Sequence, residues 1–187
     1  MLARDVSEEK VALTEENIRR MGSENIEVQV FDGRQTDSEL EGKADVVLLD
    51  VPCSGLGVMG KKRDIKYHMT PEKMRELTEL QRQIVSASAH CVKPGGTLLY
   101  STCTIHSGEN EEMVRYIVRK LGFSPVSLEN VLPEKVMAAR RKLEEDLAEA
   151  ESSPAAELTE EERRACIQLL PGYMESDGFF IARFRRN

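Results

Sequence analysis

The sequence lacks the features that mark membrane, secreted and zinc-binding proteins. No apolar run approaches the roughly 20 residues of a membrane-spanning helix, and the opening MLARDVSEEK has no apolar core of a signal peptide. The four cysteines include no Cys-x-x-Cys pair, which argues against a zinc site. We therefore expect a cytoplasmic protein with no bound metal, whose cysteines are reduced thiols.

An excess of positive charge is also missing. The formal net charge of −7 argues against a generally basic surface, so a nucleic-acid partner would need a local basic patch. One short basic run fits that requirement: Lys61, Lys62 and Arg63, with Lys66 close behind. Charge alone leaves two interpretations open, an RNA-binding loop and an ordinary solvated loop.

Helical and strand patterns alternate along the chain. Ser7 precedes a helical run as an N-cap, and Gly22 follows it as a C-cap would. Residues 26–31, IEVQVF, alternate as a strand does. The continuous apolar run that ends at Asp50 is typical of a strand buried on both faces. The alternation predicts an α/β fold with a mostly parallel sheet.

Polar residues follow four of the predicted strands. Asp5, Asp32 and Asp50 each come at or just past a strand's end, with Cys53 close behind Asp50. Cys103 follows the strand in GGTLLYSTCT. Because ligands of open α/β sheets bind outside the carboxyl ends of the strands, we expect these groups to share one site.

Two thiols in one pocket permit three kinds of chemistry. A redox pair is one, although no resolving arrangement accompanies it. A cysteine hydrolase is another, with His106 three residues after Cys103 as the base. The third is covalent catalysis on a base ring, in which a thiolate adds to an electron-poor carbon and activates its neighbour.

The motifs DVPCSG and STCT, with RDIKY, KPGGTLLY, ENE and LLPGYMESDGFF, carry a resemblance. Over residues 2–132 and again over 170–184, the chain resembles the RNA cytosine-C5 methyltransferases of the Nop/Sun (RsmB/Sun-like) family. Amino-group methyltransferases carry a second proline where this chain has Cys53. The resemblance implies a Rossmann-like class I methyltransferase fold, S-adenosylmethionine as cofactor and RNA as substrate, most closely 16S rRNA.

The resemblance also implies a role for each matching residue. Cys103 matches the nucleophile that attacks cytosine C6, and Cys53 matches the cysteine that assists product release. Asp50 matches the acid that holds the cytosine edge beside the methyl donor. Asp5 matches the acid that binds the cofactor's ribose, and Asp32 the acid near its adenine. The residues expected to contact RNA are Lys61, Lys62, Arg63 and Lys66.

The chain departs from the family pattern at its front. The family's first strand and its glycine-rich Asp-x-Cys-Ala-Ala-Pro-Gly-Gly-Lys loop do not occur here. We therefore expect residues 1–132 to form part of a methyltransferase domain. A charged helical insertion over 133–166 follows, and residues 167–187 return as a strand that completes the domain.

Without its first strand the sheet would have an open edge. We expect a rearranged sheet or pairing with another chain, for instance as a homo-oligomer, and an isolated chain that is inactive. The alternative from another functional class is a non-catalytic, truncated methyltransferase-like module that binds RNA or protein.

Overall fold

The computed structural model describes residues 1–149 and 157–187, and its strands form two sheets. The smaller sheet is a parallel pair, β1 (Leu2–Asp5) with β2 (Glu27–Val30). The larger sheet has the order β3 (Ala44–Asp50), β4 (Val92–Thr102), β7 (Phe179–Arg186) and β5 (Phe123–Pro125), and β6 (Cys166–Leu169) also pairs with β7. Among the described residues, no strand pairing joins the two sheets.

Helices connect these strands, and several begin at the caps that the sequence predicts. The Ser7 hydroxyl accepts from the Lys10 N–H at the start of the first helix, and Gly22 ends it at φ 66°. None of the helices in the described ranges is long and apolar enough to cross a membrane. They are α1 (Glu8–Met21), a 3₁₀ helix (Leu56–Val58), α2 (Ile65–His68), α3 (Pro71–Ala89), α4 (Glu111–Leu121), α5 (Glu134–Glu149) and α6 (Glu160–Arg164).

The core lies between the larger sheet and helices α3 and α4. Alternate residues of β4 point into it, and Leu98 and Tyr100 are fully buried. Val85 of α3 and Ile117 of α4 pack there with Phe184 of β7. The core therefore fixes the end of β4, where the candidate site begins.

Two expectations about the sheet are wrong. β3 is not covered on both faces, because Val47 and Leu49 pack against the core while Val46 and Leu48 are 58% and 66% exposed. The sheet is not mostly parallel either. Among the paired strands of the described residues, β1–β2 and β3–β4 are parallel, whereas β7 runs antiparallel to β4, β5 and β6.

The segments predicted to be irregular or helical also differ in detail. The stretch 55–69 contains the 3₁₀ helix and α2 rather than one long loop. Helices α5 and α6 form within 133–166 as expected, and Thr159 and Glu162 make the capping box that the pattern Thr159-x-x-Glu162 predicts. Ser152-Ser153-Pro154 predicts a break between two helices of this insertion, and that segment lies outside the described residues. The division of the chain into domains stays a prediction.

Candidate active site at the paired cysteines

Two parallel strands bring the cysteines together. Asp50 at the end of β3 pairs in register with Ser101 of β4, so the segments that follow both strands leave the sheet at the same edge. The Cys53 and Cys103 Sγ atoms lie 3.1 Å apart, and the Cys103 N–H donates to Cys53 Sγ at 3.3 Å. The expected meeting of the two thiols is present in the structure.

Burial gives Cys53 a definite protonation state. Burial, and then the hydrogen bond with Cys103, raises the pKa of Cys53 to about 12. Cys53 is therefore a neutral thiol at physiological pH and a poor nucleophile. His106 does not reach either sulfur through any described contact; its Nδ1 lies 3.5 Å from Glu109 Oε1. No described contact supports the cysteine-hydrolase interpretation.

Asp50 ends β3 three residues before Cys53, and it is exposed. Its Oδ1 accepts a hydrogen bond from the Ser101 hydroxyl at 3.2 Å, which fixes the carboxylate at the end of β3. The side chain is exposed, so its remaining oxygen is open to a ligand. A carboxylate there can accept from the amino group of a cytosine.

A buried polar network behind Cys53 was not predicted. The Ser54 N–H donates to Glu109 Oε2 at 2.9 Å, and Gln81 Nε2 donates to the same oxygen at 2.7 Å. Gln81 Nε2 also donates to the Pro52 carbonyl at 2.9 Å. Gln81 and Glu109 are both fully buried. The available sequence signals were a glutamine on the buried face of α3 and a glutamate in the ENE motif.

A second set of buried groups holds the Cys103 segment. Asn110 Oδ1 accepts from the Thr102 hydroxyl at 2.7 Å, and Asn110 Nδ2 donates to the Thr104 carbonyl at 3.0 Å and to Gln168 Oε1 at 2.9 Å. The Ser54 and Thr104 hydroxyls share a 2.7 Å hydrogen bond. Both cysteine segments are thereby fixed to each other as well as to the core.

The two other predicted acids lie on the smaller sheet. Asp5 ends β1, and its Oδ1 accepts from the Ser7 N–H at 2.9 Å while its Oδ2 lies 3.6 Å from Lys10 Nζ. Asp32 follows β2 and binds the Arg34 side chain and N–H, which lower the pKa of Asp32 to about 2. No described contact joins either carboxylate to the cysteine pair.

The predicted basic residues follow the Cys53 segment and are all exposed. Lys61 Nζ binds Asp177 at 2.6 Å, so this cation is partly neutralised. Lys66 Nζ lies 4.8 Å from the centre of the Tyr67 ring, and that ring is 75% exposed. The remaining cations of the run, Lys62 and Arg63, are exposed as well.

Comparisons with known proteins agree on one family. The family model described as "16S rRNA methyltransferase RsmB/F" matches residues 1–185. The ribosomal RNA small subunit methyltransferase F of Cronobacter sakazakii is 33% identical over all of this chain and 35% of its own length. The probable ribosomal RNA small subunit methyltransferase B of Bacillus subtilis is 36% identical over 97% of this chain and 36% of its own length.

A solved structure extends the likeness to three dimensions. The crystal structure of NSun6 from Pyrococcus horikoshii with SFG superposes at a TM-score of 0.71 and 26% identity. The superposition covers 99% of this chain and 41% of the NSun6 chain. The fold is therefore that of the Rossmann-like class I methyltransferases. This chain spans about a third of the length of the curated relatives it matches.

Proposed function

This chain belongs to the RsmB/F family of 16S rRNA methyltransferases, and we propose that the whole protein methylates C5 of a cytosine in cytoplasmic rRNA. The observation that carries this proposal is the 3.1 Å separation of the Cys53 and Cys103 sulfurs at the end of two parallel strands. Methylation at a ring carbon requires a nucleophile that activates the ring, whereas methylation of an amino group does not.

The two thiols take different roles in this reaction. The Cys103 thiolate bonds to cytosine C6, and the electrons of the C5=C6 double bond make C5 nucleophilic. After C5 is methylated, its proton passes to water, the electrons of the C5–H bond reform the C5=C6 double bond, and Cys103 leaves C6 as a thiolate. Cys53, which its raised pKa keeps a neutral thiol, is the poorer nucleophile of the two and assists this release by donating a hydrogen bond to the departing Cys103 thiolate at 3.1 Å. Asp50 accepts from the cytosine amino group and orients the ring.

S-adenosylmethionine supplies the methyl group from its sulfonium when it is bound. SFG, the S-adenosylmethionine analogue in the NSun6 structure, supports this choice of cofactor. The residues of this chain fit its nucleoside half. Asp5 ends a strand just before the N-terminus of α1, and only one of its oxygens is held by a short hydrogen bond. Asp5 would bind the ribose hydroxyls, Asp32 would lie near the adenine, and Asp50 would lie beside the methyl group.

The exposed basic run would hold the RNA backbone beside the target base. Phosphates attract Lys61, Lys62, Arg63 and Lys66 without regard to sequence. The Tyr67 ring offers a face on which a base can stack. Target choice would then come from the shape of the RNA rather than from this loop.

We further propose that residues 1–187 do not turn over alone. The nucleoside-binding acids lie on a sheet that shares no strand pairing with the cysteine-bearing sheet in the described ranges. The open edges of β1 and β3 would pair with a further strand, either from the whole protein or from a second copy of this chain.

The test replaces each of the two cysteines by alanine, one at a time, in the whole protein. Cys103→Ala should abolish methylation of rRNA, because no adduct forms at C6. Cys53→Ala should instead accumulate a covalent protein–RNA adduct on a denaturing gel, because release is slowed. Cys91→Ala is the control, since that thiol lies between α3 and β4, away from the pair.

Two results would contradict the proposal. Methylation that survives Cys103→Ala would remove the covalent mechanism. An adduct that forms in Cys103→Ala and not in Cys53→Ala would reverse the two roles. Either result counts only if Cys91→Ala and the unchanged protein behave alike in both assays.

A further inference from the structure

We propose that Glu109 is a positioning residue for Cys53, holding the Pro52–Ser54 segment so that the Cys53 sulfur meets Cys103. The inference rests on the proposed function for its catalytic meaning, although the geometry it describes can be tested without methyl transfer. Nothing in the family resemblance or in the comparisons assigns this glutamate a role.

One carboxylate oxygen of Glu109 holds the Cys53 segment, directly and through Gln81. Oε2 accepts from the Ser54 N–H at 2.9 Å and from Gln81 Nε2 at 2.7 Å. Gln81 Nε2 also donates to the Pro52 carbonyl at 2.9 Å. The residues on both sides of Cys53 are therefore fixed to the same pair of buried side chains.

The remaining contacts anchor Glu109 itself. The Tyr100 hydroxyl donates to the Glu109 carbonyl at 2.7 Å, and Gln81 Oε1 lies 3.3 Å from the same hydroxyl oxygen. Tyr100 belongs to β4, the strand that delivers Cys103. The network thus ties the Cys53 segment to the strand of the other cysteine, which sets the distance between the two sulfurs.

Because Glu109 is buried, it can act through Cys53 but cannot contact a substrate. Its accessible fraction is zero, so neither RNA nor cofactor can touch the carboxylate. Holding a carboxylate in the interior is expensive unless its hydrogen bonds are satisfied. Glu109 Oε1 and His106 Nδ1 are both buried without a hydrogen-bond partner, and they face each other at 3.5 Å. The two hydrogen bonds that Glu109 Oε2 accepts therefore offset part of the cost of burying this carboxylate.

The geometry predicts different outcomes for two substitutions. Glu109→Gln keeps one oxygen in the same place, and that oxygen can accept from both Ser54 and Gln81. Glu109→Ala removes the acceptor and leaves the two donors buried without a partner. The positioning of Cys53 should survive the first change and not the second.

The experiment measures how readily the two sulfurs meet. Diamide is added to the 187-residue chain, and the Cys53–Cys103 disulfide is followed by peptide mapping; two thiols lose their hydrogens and diamide is reduced to the hydrazine. Because a misplacement of about 1 Å costs large factors in rate, closure should slow about tenfold or more in Glu109→Ala. In Glu109→Gln it should stay within about twofold of the unchanged chain.

Glu162→Ala supplies the matched control for a loss of stability. Glu162 is also a buried glutamate, 2% exposed, but its carboxylate caps α6 by accepting from the Thr159 N–H at 2.8 Å. It should lower the midpoint of thermal unfolding without slowing disulfide closure. Gln81→Ala is the second variant should Glu109→Ala fail to fold, and it should slow closure because Pro52 and Glu109 lose the shared donor.

The inference is overturned if Glu109→Ala, or Gln81→Ala in its place, closes the disulfide as fast as the unchanged chain. It is equally overturned if Glu162→Ala slows closure as much, or if Glu109→Gln gives no rescue. These outcomes are independent of the proposed function, which fails instead when Cys103→Ala still methylates. In the whole protein, Glu109→Ala should accumulate the covalent protein–RNA adduct, as Cys53→Ala should.

Discussion

Burial gives the cysteines of this chain different chemistry. Cys166, 7% exposed at the start of β6, has its pKa raised to about 12 chiefly by burial, as does the half-buried Cys53. Cys53 differs in its surroundings, because its sulfur has a polar partner in Cys103 and lies at the edge of the sheet. The raised pKa therefore bears on the proposed chemistry at Cys53, whereas at Cys166 it bears on stability alone.

The raised pKa of Cys166 predicts a loss of stability at alkaline pH. The unfolded chain releases this proton near the ordinary pKa of 9.0, whereas the folded chain keeps it up to about 12. The folded state binds more protons in that window, so the free energy of unfolding falls by up to about 1.4 kcal/mol per pH unit. Urea unfolding of the unchanged chain and of Cys166→Ala isolates this contribution.

Other groups also titrate at high pH. Because the unchanged chain and Cys166→Ala both contain them, their contributions cancel in the difference between the two free energies of unfolding. At pH 8 the variant should be less stable by about 1 kcal/mol, because the buried sulfur no longer packs. Between pH 8 and 10.5 this difference should shrink or change sign. A difference that stays constant over the range would show that the Cys166 thiol is not held neutral by the fold.

At the scale of elements, the Cys53 segment and the start of β7 touch through their backbones. The Gly57 N–H donates to the Cys103 carbonyl at 3.0 Å, and the Gly178 N–H donates to the Gly57 carbonyl at 2.8 Å. A Cβ on Gly57 would lie 2.1 Å from the Gly178 oxygen and 2.9 Å from the Cys103 oxygen. Only a residue without a side chain fits, so the second glycine of CSGLG is required by packing.

Gly57→Ala should therefore separate the cysteine segments. The displaced backbone loses two hydrogen bonds and costs about 1–3 kcal/mol of stability. Disulfide closure between Cys53 and Cys103 under diamide should slow as well. Gly60→Ala is the matched control, because a Cβ there meets nothing within 4 Å. Equal effects of the two alanines on closure would contradict the packing argument.

Local sequence signals predict the helices and strands. Features that depend on contacts between residues distant in sequence cannot be predicted from such signals. The caps at Ser7 and Gly22 depend on neighbouring residues alone, so the sequence predicts these helix ends. Glu109 and Gln81 are distant in sequence and meet only in the folded core, so their hydrogen bond had no periodic signature. The pairing of the thiols was accessible because both follow strands that run parallel.

At the scale of the whole molecule, the burial of β3 could not be read from its composition. Val46 and Leu48 belong to an apolar run typical of a strand covered on both faces, yet one face is exposed. Coverage depends on which elements pack nearby, and the described neighbours of β3 are chiefly β4 and α3. The apolar pattern predicts a covered face that the described residues, 1–149 and 157–187, leave open.

An open strand edge with exposed apolar side chains favours association of the isolated chain. Size-exclusion chromatography with light scattering should give a mass that rises with concentration. Leu48→Lys should restore the monomer mass, because a charge on the exposed face of β3 opposes its burial. Leu13→Lys, at an exposed leucine of α1, is the control and should leave association unchanged. A monomer mass for the unchanged chain at every concentration would contradict pairing through β3, and the exposed face would then be tolerated in water.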